Sequence, residues 1–329
     1  MISSQTTFNA LLGAAFLVCA APFALADKRT DPQPLPSVAV DGFPYSDGKK
    51  THTNPFTLNL DGTPTEWMTA AKARPQPPRA TDPAPKFQSV PAPAGADILF
   101  DGTAASRDAA WEPARRDRKI WVVKEVRDLG GGPLYSVLEA SNRTDIDTKK
   151  AYGDARLHIE WRAPVNRGVH GQQGTNSGVM FGQGRYEIQV LDSYNNFTYP
   201  DGMAGAIYAQ FPPKFNAALP RGEWQSYDIT FTAPRFDADG LCVKRARFTV
   251  VFNGVVVQDD QELVGDCSYR NAKLFPTKEF KALSKDGRLH GHPFLGAHPS
   301  RLPLRLQFHS DPIQFRNIWI QDLEKAAAQ

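Results

Sequence analysis

Polar and apolar residues alternate without a break along Arg156-Leu157-His158-Ile159-Glu160-Trp161-Arg162. The same pattern recurs at Arg185-Tyr186-Glu187-Ile188-Gln189-Val190 and at Pro303-Leu304-Arg305-Leu306-Gln307-Phe308-His309. Further runs span 227–232, 247–252 and 315–320. A period of two predicts strands with one face on a core and the other toward water or a ligand. Asn253-Gly254 separates two β-branched and aromatic runs, and both residues tolerate the positive φ of a tight primed turn, so a hairpin is expected there. Helical periodicity is confined to a frayed stretch at 322–328. Strands at this spacing over residues 96–323 predict an all-β fold, a two-sheet antiparallel sandwich of the jelly-roll type. No internal repeat is visible.

Before residue 96 the pattern is different. Residues 27–95 hold 13 of the 27 prolines, which excludes helices and sheet interiors and favours extended backbone. This segment reads as an extension that wraps or tethers the domain, with Phe56 and Trp67 as docking points. The apolar run from Leu11 to Leu25 ends in Ala24-Leu25-Ala26 and turns abruptly polar at Asp27-Lys28-Arg29. That is the form of a signal peptide cleaved after Ala26, which predicts a periplasmic or secreted protein. The bulky Val18 before Cys19 argues against a lipoprotein site. No segment reaches the roughly 18 uninterrupted apolar residues of a membrane helix. Residues 324–329 read as a tail.

Composition narrows the function. An apolar fraction of 41% with 22% charged residues excludes a disordered chain, and a net charge of +3 without a dense basic run argues against a nucleic-acid partner. Three cysteines cannot staple a miniprotein. In an oxidising compartment Cys242 and Cys267 are candidates for a disulfide, the alternative being two thiols that never meet.

Alternation also sorts the candidate chemistry. With Leu157, Ile159 and Trp161 inward, His158, Glu160 and Arg162 face out. With Tyr186, Ile188 and Val190 inward, Glu187 and Gln189 face out, and Arg305, Gln307 and His309 follow on a third strand. Rows of planar hydrogen-bonding groups suit a polyhydroxylated ligand, because each bonds a sugar hydroxyl in a defined plane. The adjacent apolar pair Val190-Leu191 breaks the alternation, and a β-bulge there would return Asp192 to the face of Glu187.

The spacing Glu187-Ile188-Gln189-Val190-Leu191-Asp192 resembles the catalytic Glu-x-Asp-x-x-Glu strand of laminarinase-like glycoside hydrolases, with Gln189 and Asp192 as departures. A closer resemblance runs through Leu99-Phe100-Asp101-Gly102, Tyr152-Gly153-Asp154, Glu160-Trp161-Arg162, Asn176-Ser177-Gly178-Val179, 186–192, Gly222-Glu223-Trp224, Asn253-Gly254-Val255 and Phe315-Arg316-Asn317-Ile318. In this order they resemble the 3-keto-disaccharide hydrolase family on a concanavalin A-like jelly roll, over about residues 96–323. Relative to that family, 211–220 and 264–297 are long insertions.

The resemblance implies a carbohydrate-active enzyme acting on 3-keto-glycosides. A ketone at C3 acidifies the C2 hydrogen, so a base removes it, the C1 substituent leaves and water adds back. Such a site needs a base, an acid and a group that stabilises an enolate. Glu187 is the expected base, with Asp192 or Glu160 as partner. His309 is expected to donate a proton or polarise the ketone with Arg162, Gln189 and Gln307, while Asn176 and Ser177 bond hydroxyls. No cofactor is required. A divalent metal held by His309, Glu160, Glu187 and Asp192 is the alternative electrophile. The substrate implies an upstream glycoside 3-oxidase as a functional partner. The rival readings are a non-catalytic lectin-like module and a hydrolase of unoxidised glucans. His170, His290, His292 and His298 are expected at the solvated surface.

Overall fold

In a computed structural model these alternating stretches pair into two antiparallel sheets; the structure describes residues 45–46, 51–52, 56–165, 170–269, 272–285, 289 and 292–326. The signal-peptide segment 1–26, the side chain of Phe56 and His290 therefore lie outside the described residues. After a short antiparallel pairing of Tyr45–Ser46 with Thr51–His52 come β1 (Phe56–Leu58), β2 (Pro64–Met68), β3 (Asp97–Phe100), β4 (Trp111–Pro113), β5 (Val122–Asp128), β6 (Gly131–Glu139) and β7 (Ile146–Tyr152). They continue with β8 (Ala155–Arg162), β9 (Asn176–Phe181), β10 (Tyr186–Leu191), β11 (Gln225–Thr232), β12 (Arg247–Phe252), β13 (Val255–Glu262), β14 (Leu302–Leu306) and β15 (Gln314–Asp322). The larger, eight-stranded sheet runs β13-β12-β11-β8-β15-β6-β5, with β3 also on β15; the smaller, five-stranded sheet runs β10-β9-β14-β7-β4. Every ladder in both is antiparallel.

The inward rows of both sheets meet in one core. Leu157, Ile159 and Trp161 from the larger sheet share it with Tyr186, Ile188, Val190, Leu304 and Leu306 from the smaller. Aromatic contacts bridge the layers, with Phe181 and Phe231 ring centroids 4.6 Å apart. Asn253 and Gly254 both take positive φ and join β12 to β13 as a hairpin, Phe252 facing Val255. Strand β14 stops at Leu306, short of His309, although the Gln307 amide still donates to the Gly178 carbonyl at 3.0 Å. Two helices of seven and eight residues, α1 (Ala104–Ala110) and α2 (Lys278–Lys285), are too short to print a periodic pattern on the sequence. The frayed helix expected at 322–328 is a short α-helix at Leu323–Ala326 among the described residues.

The proline-rich extension packs on the 264–297 insertion and then runs past the Asn216 and Asn253 loops onto the outer face of the larger sheet. Its β1–β2 hairpin places Leu58 in a second, small core with Val264, Leu274, Phe280 and Leu289 of the 264–297 insertion. Burying a side chain of that size contributes about 1.5–3 kcal/mol, enough to dock the hairpin. Farther on, Ala80 donates to the Asn216 carbonyl (3.2 Å), Lys86 to that of Asn253 (2.8 Å) and Gln88 to Ser226 Oγ (3.1 Å), by backbone N–H in each case. Donors of the extension with no strand to join are thus satisfied on the Asn216 loop, the Asn253 turn and the start of β11.

The expected disulfide is corrected: Cys242 and Cys267 are both free thiols. Cys242 Sγ donates to the Lys244 carbonyl at 3.2 Å, whereas Cys267 packs where Gln210 Nε2 donates to its sulfur at 3.4 Å. Each sulfur has its own partner, and loop spacing alone carried no information about that.

Candidate active site

Strand β10 is an edge of the smaller sheet, and its outward residues Glu187 and Gln189 sit on the face opposite the core. The register carries that face across the sheet. Glu187 stands opposite Met180, Met180 opposite Arg305, and Arg305 opposite Asp147; one row along, Gln189 stands opposite Gly178. Gly178 is why Glu187 can lie flat on the sheet. A Cβ there would fall 2.3 Å from Glu187 Oε1, so the carboxyl occupies the space of the missing side chain. Along the outer edge of β10, Ile207 bridges Ile188 and joins the core, which turns its neighbour Tyr208 toward Glu187. The Tyr208 amide donates to the Glu187 carbonyl at 3.1 Å.

Glu187 is only 4% exposed, and burial, with the nearby charge of Asp145, pushes its carboxyl up to about 8. The Gln189 amide lies 2.9 Å from Glu187 Oε1 and can answer either protonation state. A protonated Glu187 donates to the amide oxygen, leaving Nε2 to donate to Gln172 Oε1 and Asn176 Oδ1 at 3.3 Å each. An ionised Glu187 is satisfied when the amide turns over and Nε2 donates to it. Asp145 is also raised, mainly by burial; it accepts from the Phe308 amide at 2.8 Å and feels the His309 and Arg305 charges. Arg305 is held by Asp147 in a bidentate pair at 2.7 and 2.9 Å, with Asp145 3.7 Å away. A carboxyl poised near neutrality thus shares a face with an arginine, an imidazole and three amides.

Several sequence expectations are corrected. Glu160 and Arg162 do not join Glu187, because β8 belongs to the larger sheet and its outward face lies on the other side of the core. There Glu160 accepts from Ser89 Oγ (2.6 Å), Asn317 Nδ2 (2.8 Å) and Arg316 Nε (2.6 Å) beneath the extension. Burial alone would raise its carboxyl, but bonds from His158, Asn317, Ser89 and Arg316 outweigh this and hold it down to about 2. Arg162 bonds Gln314 and Asp128 and stacks on Trp224. Asp192 also leaves the site. The β9–β10 register is regular to Leu191 with no bulge, so Asp192 takes the inward side, paired with Arg221 Nε. Ser177, expected to bond a substrate hydroxyl, lies in β9 and faces inward, donating to the Gln307 carbonyl at 2.7 Å. Consequently His309, Glu160, Glu187 and Asp192 do not gather as a metal quartet. Asn176, Gln189, Gln307 and His309 do fall on the Glu187 face; His309 is exposed. His170 is exposed, while His298 is half-buried and bonds the Tyr186 hydroxyl at 2.7 Å.

Glu160→Ala leaves Arg316 unpaired in a largely dry place and is expected to lower stability by about 3 kcal/mol, with turnover per folded molecule unchanged. Because its folded carboxyl is depressed, the wild-type contribution is present above the ordinary carboxylate range and lost as pH falls toward about 2. Denaturant midpoints at pH 7 and pH 3 with parallel rate measurements check both; a loss of turnover matching the catalytic variants would contradict the placement.

Residues 95–321 match the 3-keto-alpha-glucoside-1,2-lyase-like domain. The chain belongs to this family. A solved structure described as a "putative glycosyl hydrolase" from Parabacteroides distasonis ATCC 8503 is similar to it at 35% identity and a TM-score of 0.56, covering 73% of this chain and 90% of that one. A second so described from the same organism shares 20% identity at a TM-score of 0.38, covering 64% and 98%. No curated protein matches. The chain is therefore a glycoside-hydrolase-like, carbohydrate-active protein on a jelly roll.

Within this 3-keto-alpha-glucoside-1,2-lyase-like member, three functional candidates escaped the sequence reading. Asp145 and Asp147 flank the core residue Ile146, a short alternation that was legible as Asp-Ile-Asp. Tyr208 lies in a loop with no period at all, and only the bridge to β10 reveals it.

Proposed function

We propose that this protein cleaves 3-keto-glycosides by removing the C2 proton, eliminating the C1 substituent and adding water. The observation that carries the reading is the buried Glu187 carboxyl, pushed up to about 8 and lying on a face lined with amides and one arginine. A base with affinity for protons near neutrality matches the modest acidity of a hydrogen beside a ketone. The electrophilic side of the site is the Arg305, Gln307 and His309 row, where an enolate oxygen finds positive charge and donors. Asn176 and Gln189 are left to bond hydroxyls. No cofactor enters this scheme.

Asp145 replaces Asp192 and Glu160 as the second carboxyl, acting through its field on Glu187 and His309. A 3-keto substrate has to be supplied by oxidation of a glycoside at C3, so a glycoside 3-oxidase upstream belongs to the same reading. So does export, with a mature N-terminus at Asp27 that N-terminal sequencing reads directly.

The test pairs each glucoside with its 3-keto counterpart in deuterium oxide. Turnover of the oxidised substrate alone, with deuterium at C2 of the released sugar, is expected. Equal turnover of both without C2 label would overturn the reading in favour of ordinary hydrolysis.

A further inference from the structure

Glu187 has a different neighbour on each side. Toward β9 and β14 lie Arg305, Gln307 and His309; on the outer edge of β10 lies Tyr208, half-buried and uncharged. In a 3-keto-glycoside the carbon that loses its proton sits between the carbonyl carbon and the carbon bearing the leaving oxygen. With the base over that central carbon and the carbonyl toward the positive side, the leaving oxygen falls on the tyrosine side.

We propose that Tyr208 is the acid that protonates the leaving-group oxygen, with Tyr199 as its positioning residue. The assignment rests on the elimination reading above. The two hydroxyls are 3.1 Å apart. Either hydroxyl can be the donor of that bond, and with Tyr199 donating, the Tyr208 hydrogen is left for substrate. Burial keeps Tyr208 well above an ordinary phenol, so it remains a donor where Glu187 ionises.

Tyr199 is itself fixed. It precedes the Pro200–Gly202 turn, whose buried Asp201 accepts from the Ala70 amide at 3.0 Å, and Gln76 Nε2 donates to the Thr198 carbonyl at 2.9 Å. Both contacts come from the proline-rich extension, outside the matched residues 95–321. The extension therefore holds the acid's support in place.

The step balances. The C2–H proton goes to Glu187 and its electron pair forms the enolate. Collapse of the enolate makes the C1–C2 double bond and breaks C1–O, and the leaving oxygen takes the Tyr208 proton. Water then gives hydroxide to C1 and a proton to the Tyr208 phenolate, while Glu187, its proton exchanged with solvent in the interval, protonates C2.

The experiment compares 3-keto-glucosides carrying a 4-nitrophenolate or a sugar leaving group, with wild type, Tyr208→Phe and Tyr199→Phe. A nitrophenolate departs without a proton, so Tyr208→Phe is expected to leave its kcat/KM nearly unchanged while lowering that of the disaccharide by about 10²-fold or more. Tyr199→Phe is expected to show a smaller loss with the same dependence. An equal loss on both substrates, or no loss on either, overturns the assignment. Melting temperatures of the same preparations identify unfolding. Should Tyr208→Phe fail to fold, a wild-type series of aryl 3-keto-glucosides decides: kcat/KM nearly independent of leaving-group acidity supports the acid, and a steep dependence overturns it. Wild type inactive on every 3-keto-glycoside would instead remove the elimination reading, and the assignment with it.

Discussion

Glu187→Gln is expected to lower turnover of a 3-keto-glycoside by about 10²–10⁴-fold, the range for losing a general base, while the protein stays folded and binds substrate. The carboxyl is buried and carries its proton up to about pH 8. In wild type kcat/KM should therefore rise with pH and level off above that value, a limb absent from the Gln variant. Stability moves the other way. Below the ordinary Glu range the side chain is protonated in both folded and unfolded chains; between about 4.5 and 8 only the folded chain keeps its proton, so wild-type stability falls as pH rises through this window. The whole excursion amounts to roughly 5 kcal/mol at most. Glu187→Gln lacks it, so its melting temperature should gain on wild type as pH increases. Melting curves and rates on one preparation across pH 4–9 check this. A variant that melts lower at every pH, with normal activity per folded molecule, would make Glu187 a structural residue.

Gly178→Ala is the second large effect. Gly178 has no positive φ, so alanine fits the β9 backbone, and the conflict is with the base alone. The added Cβ would lie 2.3 Å from Glu187 Oε1, 2.9 Å from Cδ and 3.1 Å from Cγ. A flexible carboxyl end swings away more readily than two strands part. A displacement on the order of 1 Å costs about 10²-fold in rate when a reacting group is moved from its attack position. We expect that loss in kcat with a melting temperature near wild type. Full activity would mean that the carboxyl does not work from over Gly178, and a collapse of stability would mean that the strands moved instead.

The alternation by itself determined which side chains build the core and which turn away from it. Leu157, Ile159, Trp161, Tyr186, Ile188, Val190, Leu304 and Leu306 all lie in one apolar cluster, as their period of two required. Glu187, Gln189, Gln307 and His309 accordingly share an outward face, and Asn253-Gly254 makes its hairpin from local φ preferences alone. What alternation cannot contain is which outward face a strand receives. A sandwich has two, on opposite sides of one core, and both look alike to a single strand. Glu160 and Arg162 went to the other one because β8 pairs with β11 and β15, partners distant in sequence. Local signals failed at Asp192 and Ser177 for a related reason. Val190-Leu191 allowed a bulge, but the ladder to β9 kept its register, and once hydrogen bonds fix the register every parity along the strand follows. Tyr208 and the Gly178 gap exist only as neighbours of Glu187 across strands. The sequence thus determined polarity with respect to the core, whereas long-range strand pairing alone decided which polar groups meet.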